Sequence, residues 1–287
     1  MIRLKKPDLD TTTVYEACRS GVTDSALAER FKTGAVEVEV IAVQYEKKAA
    51  AQHLYTLQAS AWGKGGQQVL AGLTKDEFTV LYSEHMVGRK KPGRTYYDQL
   101  MMLAPLGKCP FCGFGHASTL DHFLSKSRYP AFSVLPINLI PSCTDCNKGK
   151  TASVITQKNQ IPHPYFESDS IETDTWLFAD VIESTPPTVR YFIKPPIGWP
   201  ADLIQRVTIY FQDFGLASRF AVEAASELTS ICDILTVLET AEVRGTHLKL
   251  ISNVERGNRK NSWKAALCEA LANSAWFLAH GYRRQTS

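Results

Sequence analysis

The chain has 287 residues, 44% of them hydrophobic and 21% charged, with a formal net charge of +3. That length allows one large or two modest domains with a real core. The weak positive balance says little about nucleic acid, so any such argument must be local. No apolar run approaches the ~20 residues of a membrane helix. Residues 1–7 lack the apolar stretch of a secretory signal. The chain is therefore expected to be cytoplasmic, where its seven cysteines stay reduced and favour metal over disulfides.

In chain order, residues 26–31 and 42–57 suit helices, the second running through good helix formers, Tyr45-Glu46-Lys47-Lys48-Ala49-Ala50-Ala51. Between them Val36-Glu37-Val38-Glu39-Val40 alternates with period two, which permits a short strand. Thr74-Lys75-Asp76-Glu77 is a capping box that starts a helix with Phe78, Leu81, Tyr82 and Met86 on one side. Residues 88–94 end that helix, and 96–103 form another. Residues 105–150 turn rich in Pro, Gly and Cys with short β-prone runs, 118–124 reading as a strand that ends in a turn. Residues 164–183 carry six acidic side chains and no Lys or Arg. Within and after them, 176–182 and 188–194 suit a hairpin around Ser184-Thr185-Pro186-Pro187. Helices follow at 201–214, 217–238, 243–253 and 261–280, the last stopped by Gly281. The expected organisation is α+β: a helical N-terminal region 1–104, a small zinc module 105–166, and a hairpin with helices over 167–287.

The chemistry concentrates in Cys109-Pro110-Phe111-Cys112 and Cys143-Thr144-Asp145-Cys146. Two sulfurs reach one ion at ~2.3 Å only from a tight knuckle, and two such pairs fit a structural Cys₄ zinc site. Gly113 suits the reversal after the first pair, and the second pair is expected at a helix start, where backbone N–H groups favour thiolate. Zinc closed by four thiolates has no open position for water, so it scaffolds a segment too short to bury a core. Cys18, Cys232 and Cys268 read as helix-packing thiols.

Between and after the knuckles lie Asp121-His122, Asn138, and Asn147-Lys148-Gly149-Lys150. In this order the segment 105–150 resembles the HNH (ββα-metal) endonucleases built on a treble-clef zinc scaffold. It is similar to phage endonuclease VII in its Cys pair, Asp-His, Cys pair and Asn, and to the HNH domain of CRISPR effector nucleases in the spacing from Asn138 to Asn147. The resemblance implies that Asp121 and Asn147 give oxygens to a catalytic Mg²⁺ or Mn²⁺, hard ions that take such ligands. His122 would be the general base, Asn138 would orient it or hold the loop, and Lys150 would contact a phosphate, with Lys148 a weaker candidate. The family's terminal His is replaced here by Asn147. Because neighbouring strand residues face opposite ways, Asp121 and His122 can share a phosphate only where the strand twists or ends, with base and metal on different sides of it.

The implied activity is hydrolysis of DNA phosphodiester bonds, and the resemblance extends to HNH proteins of bacterial anti-phage systems that work beside an ATPase partner. An RNase with the same site, and a non-catalytic zinc adaptor for nucleic acid or protein, are the alternatives. Residues 108–150 hold Lys108, Lys126, Arg128, Lys148 and Lys150 against Asp121 and Asp145, enough for a phosphate and too little for a long duplex. Further grip is expected from Arg89, Lys90, Lys91 and Arg94, and from Arg256, Arg259, Lys260 and Lys264. His163 is an outside candidate to approach the site, against a loop-packing role.

Overall fold

The computed structural model describes residues 1–149 and 153–283. Two compact units divide the chain, residues 2–167 and residues 168–287 together with Met1.

The first unit begins with α1 (Thr11–Ser20) and α2 (Ser25–Thr33), capped by the carboxylates of Asp10 and Asp24, which accept from the N–H of Thr13 and Leu27. The alternating valines lie in α3 (Ala35–Ala50), so the strand allowed by their period does not form. Five residues cannot separate period 2 from period 3.6. Over the longer stretch, buried Val38, Ala42, Tyr45 and Ala49 make a helical stripe, and Val36 and Val40 stay 69% and 63% exposed. The helix also ends before residue 57, because Gln52 adopts a left-handed φ of 59°.

A short antiparallel pair, β1 (Gln68–Leu70) with β2 (Leu73–Thr74), leads into α4 (Lys75–Val80), where the Thr74–Glu77 capping box is formed. This helix runs on as a π-helical turn, Leu81–Met86, and Phe78, Leu81, Tyr82 and Met86 are all buried. After α5 (Arg94–Met101) come β3 (Thr119–His122) and β4 (Leu139–Ser142), antiparallel with Asp121 opposite Ile140 and His122 opposite Leu139. Then α6 (Thr144–Gly149) follows. Val14, Tyr15, Phe31, Phe78, Leu81 and Leu100 share one apolar cluster with Leu120, Val134 and Leu139. Residues on both sides of position 104 therefore contribute to a single core.

Among the described residues, the second unit holds α7 (Ser170–Thr173), the hairpin of β5 (Leu177–Ile182) and β6 (Thr188–Ile193), and the longer helices α8 (Ala201–Asp213), α9 (Leu216–Thr236), α10 (Ala241–Asn258) and α11 (Trp263–Asn273). The single helix expected over 261–280 breaks after Asn273, where Ser274 is extended, and resumes as a π-helical turn, Phe277–Gly281. β5 packs on α11, β6 on α9, and α10 along α11. Among the described residues no helix is long and apolar enough to cross a membrane.

Candidate metal centre and active site

Cys109, Cys112, Cys143 and Cys146 converge: all four are buried and their Sγ atoms lie within 4.8 Å of one another. The first knuckle turns through Gly113, at φ 79°, whose N–H donates to the Cys109 carbonyl at 2.7 Å. Gly115 N–H donates to Cys112 Sγ at 3.3 Å, and Cys146 N–H, in α6, to Cys143 Sγ at 3.5 Å. Gly115 is needed for space: a Cβ there would come within 3.0 Å of Cys143 Sγ.

The crowded thiols split one another's protonation. Hydrogen bonding by Cys109 lowers Cys112 to about 6 and, with the other thiols, lowers Cys143 further. The same network, through Cys112 and Cys109 respectively, pushes Cys109 and Cys146 up. A cation among the sulfurs removes that conflict by favouring four thiolates together. Cys112 Sγ and Cys143 Sγ are 3.8 Å apart, the edge of a tetrahedron whose arms are the ~2.3 Å of a zinc–sulfur bond. The cluster therefore fits a zinc ion that is closed to water.

Beside the cluster, the antiparallel pair sorts the remaining candidates by face. Thr119 and Asp121 share one face of β3, Leu120 and His122 the other. From α6, Asn147 Nδ2 donates to Thr119 Oγ1 at 3.4 Å, a long bond that ties the helix to the strand two residues before Asp121. Asp121 itself is 5% exposed.

On the opposite face, the His122 imidazole meets the ring of Tyr82 at 4.4 Å between centroids, inclined at 71°. Its Nε2 lies 2.9 Å from the Ser133 carbonyl oxygen. A carbonyl only accepts, so Nε2 carries the hydrogen, and in the neutral ring the lone pair sits on Nδ1. Ser133 is fixed in turn by its hydroxyl, which donates to the Phe78 carbonyl at 2.8 Å.

Asn138 holds the loop. Its Oδ1 accepts from Leu124 N–H at 2.7 Å and from Tyr45 O–H at 3.0 Å. Its Nδ2 donates to the carbonyls of Phe132 and Leu124 at 3.0 and 3.2 Å. That exhausts a carboxamide's ordinary capacity, and none of these bonds goes to His122. His163 packs in the same network: it is 1% exposed, stacks on Phe123 at 4.0 Å, accepts at Nδ1 from Tyr165 N–H and lies 3.2 Å from Tyr45 Oη. Loop packing is thus its place. Lys150 lies outside the described residues.

The basic segments are partly consumed by structure. Lys91 Nζ donates to the Gly21 carbonyl, and Arg94 pairs with Asp98 and donates to the Val87 carbonyl. Arg256 pairs with Glu269, and Lys264 with Glu227. Arg89, Lys90 and Lys260 remain exposed. Sequence reasoning did not find Tyr45, Tyr82, Ser133 or Gly115 as parts of this region. Tyr45 and Tyr82 arrive from distant helices and Ser133 bonds His122 through its backbone, so these three leave no local pattern.

No protein-family model matches the chain, and no solved structure matches it at a significant level. Protein ea31 of Escherichia phage lambda is similar to it, 29% identical in an alignment that covers 96% of this chain and 99% of that protein.

Proposed function

We propose that the chain is an HNH-type endonuclease that hydrolyses DNA phosphodiester bonds, with the thiolate cluster as the zinc centre of a treble-clef scaffold. The observation that carries this reading is the placement of polar side chains about β3. By strand alternation Asp121 shares a face with Thr119, which accepts from Asn147 of α6, while His122 sits opposite with its lone pair on Nδ1. A carboxylate and an amide oxygen suit a hard ion, so Asp121 and Asn147 would hold Mg²⁺ or Mn²⁺. When bound, such an ion neutralises charge on the scissile phosphate and on the departing oxygen.

The protein's own part is proton transfer and positioning. His122 Nδ1 takes a proton from the attacking water as the new O–P bond forms and the P–O bond to the leaving sugar breaks, and solvent protonates the leaving oxygen. The resulting imidazolium keeps its Nε2–H on the Ser133 carbonyl, so the ring does not reorient during the step. Tyr82 packs against that ring, and Asn138 fixes the backbone of Leu124 just beyond it. Lys150 would contact a phosphate oxygen. The resemblance also supplies the setting proposed here, bacterial anti-phage defence beside an ATPase partner.

The test is incubation of plasmid, linear DNA and RNA with Mg²⁺ or Mn²⁺, comparing the native protein with His122→Ala. The expected result is DNA cleavage that slows by about 10²-fold or more in the variant, the ordinary contribution of a general base. Cleavage of RNA alone would make the same site an RNase. Equal cleavage by both proteins would place the base elsewhere, and no cleavage with folded, zinc-loaded protein would leave a zinc adaptor.

A further inference from the structure

Lys126 stands four residues after His122, outside the motif that carries the resemblance. Its Nζ lies 4.8 Å from the centroid of the Tyr82 ring, the same ring that meets the His122 imidazole at 4.4 Å. One aromatic side chain thus touches both the base and an ammonium. The turn that carries Lys126 is closed by hydrogen bonds: Arg128 and Tyr129 N–H both donate to the Ser125 carbonyl, at 2.9 and 2.8 Å, and the hydroxyls of Ser125 and Ser127 are 2.8 Å apart.

Lysine heads usually reach for water while the stem covers apolar surface. Here the side chain is half-buried, its pKa is lowered by desolvation, and among the described residues no carboxylate pairs with it. The cation–π contact with Tyr82 is weak compensation, since such contacts are modest even when well formed. An anion placed beside His122 would complete the ammonium's surroundings. The water that His122 serves must lie next to a backbone phosphate, which carries oxygens of the required charge.

We propose that Lys126 binds a phosphate oxygen of the DNA backbone next to His122, with the Tyr82 ring in contact with both the ammonium and the imidazole. This rests on the nuclease reading for the meaning of the site, and its test separates the two. Lys126→Met keeps the stem over Tyr82 and removes the charge, and Lys126→Arg keeps the charge. Binding of a fluorescein-labelled duplex is titrated against salt in a His122→Ala background, and cleavage is measured with His122 intact.

Lys126→Met is expected to weaken binding, to flatten the log–log salt slope by about 0.9, the share of one phosphate contact, and to lower kcat/KM about tenfold. Lys126→Arg should restore most of each, with zinc content and melting unchanged throughout. An unchanged slope and unchanged cleavage in Lys126→Met would overturn the assignment and leave the nuclease reading standing. Loss that Lys126→Arg does not restore, with earlier melting, would overturn it in favour of packing alone. A native protein that binds through Lys126 but never cleaves would sink the nuclease reading and keep the phosphate contact. A folded protein that neither binds nor cleaves would sink both.

Discussion

Asn138 in the unit 2–167 and Asn261 in the unit beginning at 168 perform the same local task in different surroundings. Asn261 Oδ1 accepts from the N–H groups of Trp176 and Leu177, and its Nδ2 donates to the carbonyls of Ile171 and Asp174. Each amide thus closes a loop that no strand or helix can satisfy, as buried backbone polar groups require. Asn261 leads into α11, where Leu267 and Leu271 are fully buried, as is Phe277 beyond it. Around Asn138 two four-residue strands and a six-residue helix lie beside four thiols. The first unit therefore adds polar fixation and a candidate metal cluster to its apolar core, where the second rests on burial. The side chains proposed for chemistry all sit in the part held by fixation.

The largest effect expected from this contrast is that of Cys146→Ser. It should strip zinc and unfold the segment 109–149, because structural zinc supplies about 10–16 kcal/mol of apparent binding energy in small zinc domains. The helices α8 to α11 should keep their own thermal transition. Metal analysis and circular-dichroism melting read both, and a zinc-replete, fully folded variant would contradict the scaffold assignment. Next are Asn138→Ala and Asn261→Ala, each expected to cost about 3 kcal/mol or more by leaving several backbone groups unpaired. Hydrogen exchange should localise the first loss to 119–142 and the second to 171–177. Matching exchange maps for the two variants would break the comparison.

A smaller effect is expected at Gly115→Ala, whose new methyl must displace the Cys143 side chain at 3.0 Å. It should cost about 1–3 kcal/mol and speed zinc transfer to a coloured chelator. The smallest is Arg190→Ala, which removes an exposed pair with Asp180 at 3.0 Å. Such a pair contributes about 0–1 kcal/mol, so the melting temperature should move little.

The sequence legibly carries features set by local chemistry. The Thr74–Glu77 capping box, the 177–193 hairpin and the knuckle with Gly113 are written in adjacent residues, and the structure forms each of them. The four cysteines are legible because their spacing is itself the constraint. What stays hidden depends on residues far apart or on the backbone. Val36 to Val40 reads as strand or helix until Tyr45 is known to be buried. The hydrogen bond that fixes the His122 tautomer ends on the carbonyl of Ser133, a group every residue has. Asn138 could not be divided between orienting a base and holding a loop until Tyr45, Leu124 and Phe132 were seen around it. Lys126 gains meaning only through Tyr82, 44 positions earlier in the numbering.

The proposal rests most heavily on Asp121 of β3 and Asn147 of α6 holding a divalent cation separate from the thiolate cluster. Electron paramagnetic resonance of Mn²⁺ titrated into zinc-loaded protein tests it without reference to cleavage. The account predicts one bound Mn²⁺ in the native protein and its loss in Asp121→Ala and Asn147→Ala, with zinc content unchanged. Equal Mn²⁺ binding in all three proteins, or none in the native one with DNA present, would contradict it.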